Sequence, residues 1–218
     1  MQKWLIKMKT NLLPIAKEGL RYICCAICFF VVFGLLDLDF LQFFAFIATI
    51  FFIFVFRNPE REISNFQDSS VVAPCDGVIS SIEELKDDEY AYKVEIDGSF
   101  FNVSLLRVPL VSTLEKVEVL RGARVSKFNA LHVEINENAT LVFKDKDENT
   151  LKVTHRLKQS FKPLDIEMIP SQQLNQGARY GVMVNGITTL YLPKNFRLNV
   201  SVGAEVNASQ TLIGYFTN

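Results

Sequence analysis

The sequence is short of histidine, of cysteine and of any excess charge, and each shortage removes a class of function. Basic and acidic side chains nearly cancel, 23 against 24, for a net charge of −1. That balance supplies no electrostatic footprint for nucleic acid, so no nucleic-acid partner is expected. Cysteine occurs only at Cys24, Cys25, Cys28 and Cys75. Three of these crowd into one apolar run and the fourth stands alone, which leaves no disulfide framework and points to a reducing compartment. Cys25-x-x-Cys28 has a zinc-like spacing, but no second pair completes four ligands. Small residues packing in a membrane helix explain it, and no metal is expected. His132 and His155 are the only histidines, each in a strand-like run where a structural or exposed role is the default. After residue 57 no window sustains a 3.6-residue period, so helix is a minor element there. A hydrophobic content of 49% excludes disorder and collagen-like structure.

Phenylalanine, by contrast, is abundant and unevenly placed: eleven of 19 fall within residues 29–56. Tyr22–Phe56 is almost uniformly apolar, interrupted by Asp37-Leu38-Asp39 and Gln42. One helix over this run would be about 52 Å long, against a hydrocarbon core of about 30 Å. It would also hold two acids near its centre, at roughly 2.5 kcal/mol or more each. Both facts favour a transmembrane helical hairpin turning at Asp37–Asp39, with arms Tyr22–Leu36 and Phe40–Phe56. A re-entrant or interfacial hairpin is the competing arrangement. Lys3, Lys7, Lys9, Lys17 and Arg21 precede the run, Arg57 and Arg61 follow it, and the turn has no base. The positive-inside rule then places both termini in the cytoplasm, with the soluble part on the cytoplasmic side of the inner membrane. Arg57 and Arg61, with Lys3, Lys7 and Lys9, are expected at the level of the lipid headgroups. Residues 1–56 are thus a membrane anchor and residues 57–218 a separate domain.

That domain reads as mainly β. Val71–Ile82 holds apolar runs broken by Pro74 and Asp76-Gly77. Tyr92–Ile96 alternates, Asp97-Gly98 is a two-residue hairpin turn, and Ser99–Leu106 is expected to return. Leu131–Ile135 and Thr140–Phe143 are strands around a polar turn at Asn136-Glu137-Asn138. Lys144–Asn149 is a charged turn, and Leu151–Leu157 alternates again. Val182–Tyr191 reads as a hairpin with Asn185-Gly186 as a type I′ turn. Phe196–Phe216 reads strand, turn at Gly203, short strand, turn, strand. The segments Val71–Ile79 and Val202–Ile213 look like the two halves of a lipoyl- or biotinyl-type barrel-sandwich. Their turns lack the lysine that such a carrier modifies, so a swinging arm is not inferred.

Six motifs in order make a specific resemblance. Phe56-Arg57-Asn58-Pro59-Glu60-Arg61 follows the apolar spans, and Pro74-Cys75-Asp76-Gly77 comes next. Asn102-Val103-Ser104-Leu105-Leu106-Arg107-Val108-Pro109 and Asn136-Glu137-Asn138-Ala139 come after it. Gly177-x-Arg179-x-Gly181 and Tyr191-Leu192-Pro193 complete the series. At these spacings, behind a double apolar span, the chain resembles the short bacterial type of phosphatidylserine decarboxylase over nearly its whole length. The resemblance implies a role in phosphatidylethanolamine synthesis. The family precursor cleaves itself at a glycine-serine bond, and the serine becomes a pyruvoyl group. That carbonyl forms a Schiff base with the substrate amine and acts as electron sink for loss of CO2.

The same resemblance locates the departures. Between Arg179 and Pro193 the chain is one residue shorter than the family. The glycine-serine pair falls on Asn185-Gly186 or on Gly186-Ile187, and neither contains a serine. The family histidine falls on Ser104 and the aspartate before it on Asn102. Asp76 is the one reactive-type residue retained, and Asp-Gly is also an ordinary turn. Thr188 is a weak surrogate nucleophile: its hydroxyl can in principle perform the acyl shift and would leave a ketobutyryl group. Arg107 joins Arg57 and Arg61 as a candidate for headgroup contact. No cofactor is expected, because the pyruvoyl group has no serine to form from. Three readings follow. The chain is a degenerate member facing membrane phospholipid, an active decarboxylase with relocated catalytic groups, or a membrane-anchored β adaptor with protein partners or a second copy of itself.

Overall fold

A computed structural model of the chain describes residues 14–61, 66–67, 69–86 and 89–217. Lys3, Lys7 and Lys9 lie outside the described residues. The chain forms two compact units, Met1–Glu60 and Arg61–Asn218.

In the first unit, α1 spans Lys17–Leu35 and α2 spans Asp39–Val55. Asp37, at φ 55°, lies in the turn between them. Tyr22 stacks on Phe56 with ring centroids 5.5 Å apart and meets Phe52 at 5.6 Å, while Phe30 meets Phe46 at 6.1 Å. The Ala16 amide donates to the Phe56 carbonyl at 2.8 Å, so the two outer ends are tied. α1 begins at Lys17 rather than at the first apolar residue; Glu18 in its first turn suits the positive end of the helix dipole. By length and composition α1 can cross a membrane, and α2 is a shorter apolar helix. Phe29, Phe40, Phe43, Phe44 and Phe46 all face outward, the reverse of a water-soluble helix pair.

Among its described residues the second unit has one helical turn, and its other regular elements are β-strands. Its early strands are β1 Ser70–Val72, β2 Gly77–Glu84, β3 Tyr92–Asp97, β4 Leu105–Arg107 and β5 Ser112–Leu120. The turn α3 His132–Ile135 precedes β6 Asn138–Lys144 and β7 Thr150–Leu157. Short strands β8 Asp165–Ile166 and β9 Gln173–Leu174 lead into β10 Arg179–Val182 and β11 Gly186–Leu192. The chain ends with β12 Phe196–Leu198, β13 Glu205–Val206 and β14 Leu212–Phe216.

An eight-stranded antiparallel sheet has the order β13-β2-β3-β11-β7-β6-β5-β9, and two three-stranded sheets have the orders β1-β14-β12 and β4-β10-β8. Ile79, Val94, Ile96, Leu141, Phe143, Val153 and Leu190 fill the core from the large sheet. Leu106 and Tyr180 reach it from β4 and β10, and Ile213 and Phe216 from β14. Alternation explains these choices: β6 buries every second residue, as a sheet with one wet face must. The segments around Val71–Ile79 and Val202–Ile213 lie side by side. Val206 pairs with Gly77, Val71 pairs with Gly214, and the Ala73 amide donates to the Thr211 carbonyl at 2.9 Å.

Three local expectations are corrected. The stretch after Gly98 does not return along β3. β3 pairs with β2 and β11, whereas β4 pairs with β10. Every residue of β4 is buried, which suits a strand of a second sheet packed into the core rather than one arm of a surface hairpin. Likewise β10 and β11 do not pair: β10 joins β4 and β8, and β11 joins β3 and β7. A type I′ turn needs φ > 0 at both central residues. Asn185 has φ 58°, and Gly186 is not among the residues with positive φ. The chain turns a corner between sheets there. Finally, His132–Ile135 is a helical turn rather than a strand, and Asn136 does not turn a hairpin. Its side chain accepts from the Val125 amide at 3.0 Å and donates to the carbonyls of Val125 and Leu157, both at 2.8 Å.

Candidate functional site

β11 and the corner before it hold Asn185, Gly186 and Ile187, the positions to which the resemblance assigns the self-cleavage bond. β11 is central in the large sheet, with Ile187 opposite Asp97 on one side and Arg156 on the other. Gly186 is buried at its start. A Cβ there would come within 2.4 Å of Met183 Sδ and 2.8 Å of the Arg156 carbonyl, so only glycine fits without a shift. Asn185 just before it is held by Nδ2 donating to the Gln159 carbonyl at 2.6 Å, and its own carbonyl accepts from the Lys158 amide at 3.0 Å. Asn185, Gly186 and Ile187 bring no hydroxyl or thiol to this segment.

The first hydroxyl is Thr188, and it is fully buried. Its Oγ1 accepts a hydrogen bond from Cys75 Sγ at 3.1 Å and lies 2.8 Å from His155 Nδ1. His155 Nε2 bonds to the Tyr180 hydroxyl. With the imidazole in its Nε2–H tautomer, the four side chains form one directed chain: Cys75 donates to Thr188, Thr188 to His155, and His155 to Tyr180. The topology accounts for the cluster. Thr188 and His155 are register partners on β11 and β7, Tyr180 stands on β10, and Cys75 sits in the turn before β2.

Burial sets the electrostatics of this cluster. It pushes the His155 imidazole down to about 3 and the Cys75 thiol up to about 12. For the thiol, the bond to Thr188 opposes the rise and nearby Asp76 adds to it. Tyr180 is raised well above the ordinary phenol value, again by burial. All three are therefore neutral at pH 7. A hydroxyl donating to a neutral imidazole has the connectivity of a nucleophile and its base. Yet charging this imidazole at pH 7 costs about 5 kcal/mol, because each pKa unit is worth about 1.4 kcal/mol.

Asp76 is at the edge of this cluster but serves a different network. Its two oxygens accept from Arg61 Nη1 at 2.5 Å and Nη2 at 2.6 Å. They also accept from the amides of Ala208 at 2.9 Å and Val103 at 3.4 Å. One carboxylate thus joins the start of β2, the turn before β14, the loop before β4 and the first residue of the unit. Arg61, expected at the headgroup level, has a side chain only 9% exposed and turned inward onto Asp76. Arg107 is buried as well, its Nη1 donating to the Gly177 carbonyl at 3.2 Å. Arg57, in the first unit, keeps its guanidinium over the Phe54 ring at 4.1 Å and donates to the Phe54 carbonyl at 3.0 Å.

Asn102 and Ser104 lie in the segment between β3 and β4. Asn102 Oδ1 accepts from the Ser99 amide at 2.9 Å and the Ser99 hydroxyl at 2.8 Å, closing the turn after β3. Ser104 is buried, and its carbonyl accepts from the Met183 amide at 2.8 Å, two residues ahead of Asn185. Among the described residues no group of three His, Cys, Asp or Glu side chains is arranged for a metal ion. His155 is the residue that sequence reasoning missed. Its role follows from a register pairing with Thr188 that no local pattern announces.

Comparison with known proteins completes the description. Residues 48–214 match the sequence model of the family described as phosphatidylserine decarboxylase. A protein named phosphatidylserine decarboxylase proenzyme from Geotalea uraniireducens is 30% identical over 95% of this chain and 99% of its own. Proteins of the same name from Geotalea daltonii and Desulfotalea psychrophila are 29% and 28% identical. They cover 96% and 92% of this chain, and 100% and 96% of their own lengths.

Proposed function

The chain belongs to the phosphatidylserine decarboxylase family, and from that premise we propose that it is a membrane-anchored member that does not convert itself into a pyruvoyl enzyme. The family relation supports a role in phospholipid metabolism. One observation carries the finer reading. The strand that would be cut runs Gly186–Leu192, paired on both edges, and Asn185, Gly186 and Ile187 offer no nucleophile. An acyl shift needs a hydroxyl or thiol immediately after the broken bond. Thr188, the nearest one, donates into an imidazole whose basicity burial has suppressed. Ser104, where the family places histidine, supplies no base near pH 7. Asp76 is engaged by Arg61 and two amides as a structural anchor.

In this reading α1 and α2 form a transmembrane hairpin with its turn at Asp37–Asp39. The β unit has a barrel-sandwich architecture, faces the cytoplasm and keeps phospholipid as its partner. Of the expected headgroup contacts among the described residues, Arg57 is the one whose setting suits the role; Arg61 and Arg107 are committed to the interior. A cysteine introduced at Leu38 is expected to label from outside intact cells; labelling only after lysis overturns this topology.

A second reading is favoured by one contact, the 2.8 Å approach of His155 Nδ1 to Thr188 Oγ1. Here Thr188 attacks the Ile187 carbonyl carbon, its proton passes to His155, and the peptide becomes an ester. Elimination of the Ile187 carboxylate then leaves a dehydrobutyrine at the new N-terminus, and water hydrolyses its imine tautomer to a ketobutyryl group with release of ammonia. The purified full chain, supplied with carboxyl-labelled phosphatidylserine in mixed micelles, separates the two. Release of labelled CO2 no greater than from a Thr188→Val variant supports the degenerate member. Release that this substitution abolishes supports the surrogate threonine.

A further inference from the structure

One end of the β unit carries a rim built from three loops. Asp97, at the end of β3, binds Lys127 Nζ at 2.6 Å and also Lys158 Nζ, so the loop after β5 and the loop after β7 meet there. The Phe100 ring stacks on Phe161 at 6.1 Å and adds the turn after β3. The Gly98 amide donates to the Gly186 carbonyl at 2.9 Å, which sets the rim beside the start of β11. On this rim Phe128 is 88% exposed and Phe101 74%, with Leu131 at 52% and Val133 at 50% on the same loop as Phe128. Clustered large apolar side chains in water are uncommon on a surface that binds nothing.

Charge says what covers them. Residues 97–101, 119–137 and 158–165 hold five Lys/Arg against four acids, whereas the rest of Arg61–Asn218 holds twelve against sixteen; within the rim Arg121 and Arg124 pair with Glu137, and Lys162 with Asp165. The rim thus keeps a small positive balance in an otherwise acidic unit, and the Arg121 side chain beside the apolar tips is 64% exposed. That combination suits an anionic lipid surface: apolar tips enter the acyl boundary and cations meet the phosphates. A second copy of the chain would bring the same positive rim against itself, and like charges oppose that pairing.

We propose that this rim is a membrane-docking surface for anionic phospholipid, with Phe128 and Leu131 inserting and Arg121, Arg124 and Lys127 at headgroup level. It rests on the reading that the chain is membrane-bound, but it is a contact of the β unit itself, additional to α1 and α2. Docking of this kind holds the start of β11 close to the lipid surface.

Single-tryptophan variants of the full chain test it. Trp4, the one native tryptophan, is replaced by Phe. Phe128→Trp is then compared with Tyr215→Trp, on β14 outside the rim, in proteoliposomes of phosphatidylcholine and phosphatidylglycerol with brominated acyl chains. Quenching several-fold stronger at position 128 than at 215, and weaker without phosphatidylglycerol, is the expected result. Equal quenching at both positions overturns the proposal. So does a residue 128 that is shielded from iodide yet unquenched by bromine, which is the signature of a second copy on the rim. Flotation after alkaline carbonate reads the anchor separately. Protein that floats but is unquenched at 128 defeats the docking surface alone. Protein that is stripped off yet was quenched at 128 defeats the anchor and leaves the docking surface standing.

Discussion

Replacing Arg61 by alanine isolates the buried ion pair that ties the first residue of the β unit to the turn before β2. In the native chain both carboxylate oxygens of Asp76 face guanidinium nitrogens at 2.5 and 2.6 Å, with side chains 9% and 6% exposed. Deleting one partner of a buried pair usually costs 3–5 kcal/mol, since the other charge is left unpaired, here with two amide donors to soften the loss. About 3 kcal/mol is therefore expected for Arg61→Ala. For a unit of this size each kcal/mol moves Tm by roughly 2–4 °C, which gives a drop of about 6–12 °C. Asp76→Asn should cost less than Arg61→Ala, because the amide oxygen still accepts from Ala208, and the double variant should be less harmful than the sum of the singles. Circular dichroism melts of the detergent-purified chain, followed in the β band, read all three. An Arg61→Ala melt within about 2 °C of wild type would refute the claim that Asp76 is committed to structure.

Acid should destabilise the fold through His155. Its folded pKa is about 3 against an ordinary 6.5, so the unfolded chain takes up the proton first. Its contribution is whole above pH 6.5 and is lost as pH falls, by roughly 2 kcal/mol at pH 5. Denaturant titrations at pH 7.5 and 5 should show that loss in wild type, and a smaller one in His155→Gln; parallel losses would contradict it. Cys75, with a thiol raised to about 12, should resist maleimide at pH 8 in the folded protein of a Cys24/Cys25/Cys28→Ala background and react fully in guanidinium. Rapid labelling of folded protein would show that the cluster opens to solvent. Thr188→Val keeps the strand-forming shape but removes the hydroxyl between Cys75 and His155, and should cost about 1–3 kcal/mol by leaving buried polar groups unpaired.

Much of the fold could be read from local pattern, because local pattern caused it. The charged turn Lys144–Asn149 does join β6 and β7, with Asp145 Oδ1 accepting from the amides of Asp147 and Asn149, both at 2.8 Å. Gly203, at φ 87°, turns the chain ahead of β13 as its position suggested. The reading failed where two adjacent strands belong to different sheets. Asp97-Gly98 and Asn185-Gly186 carry strong hairpin chemistry, yet the strands beyond them pair elsewhere, because β4 and β10 bury better against each other than against β3 and β11. Tertiary burial outweighed turn propensity at both places.

The candidate site was legible only in outline. Cys75 belongs to the motif Pro74-Cys75-Asp76-Gly77, but its contact with Thr188 comes from a strand more than a hundred residues later. Arg61 was read as a surface cation because its neighbours in sequence are the apolar span; its partner, Asp76, lies beyond a stretch with no periodic signal. His155 could not be assigned, since its two partners, Thr188 and Tyr180, come from strands whose register depends on the whole sheet.

The intact mass of the purified full chain tests the central claim most directly. One species of the unbroken chain at about 24.8 kDa, with no hydrazide-reactive N-terminus, is the predicted result. Slow deamidation at Asn185-Gly186 would add only about one dalton to that species without cutting it. A stoichiometric pair of fragments joined at any bond between Val184 and Thr189 would contradict the account. A cut at Ile187–Thr188 that Thr188→Val prevents would show that the chain processes itself after all.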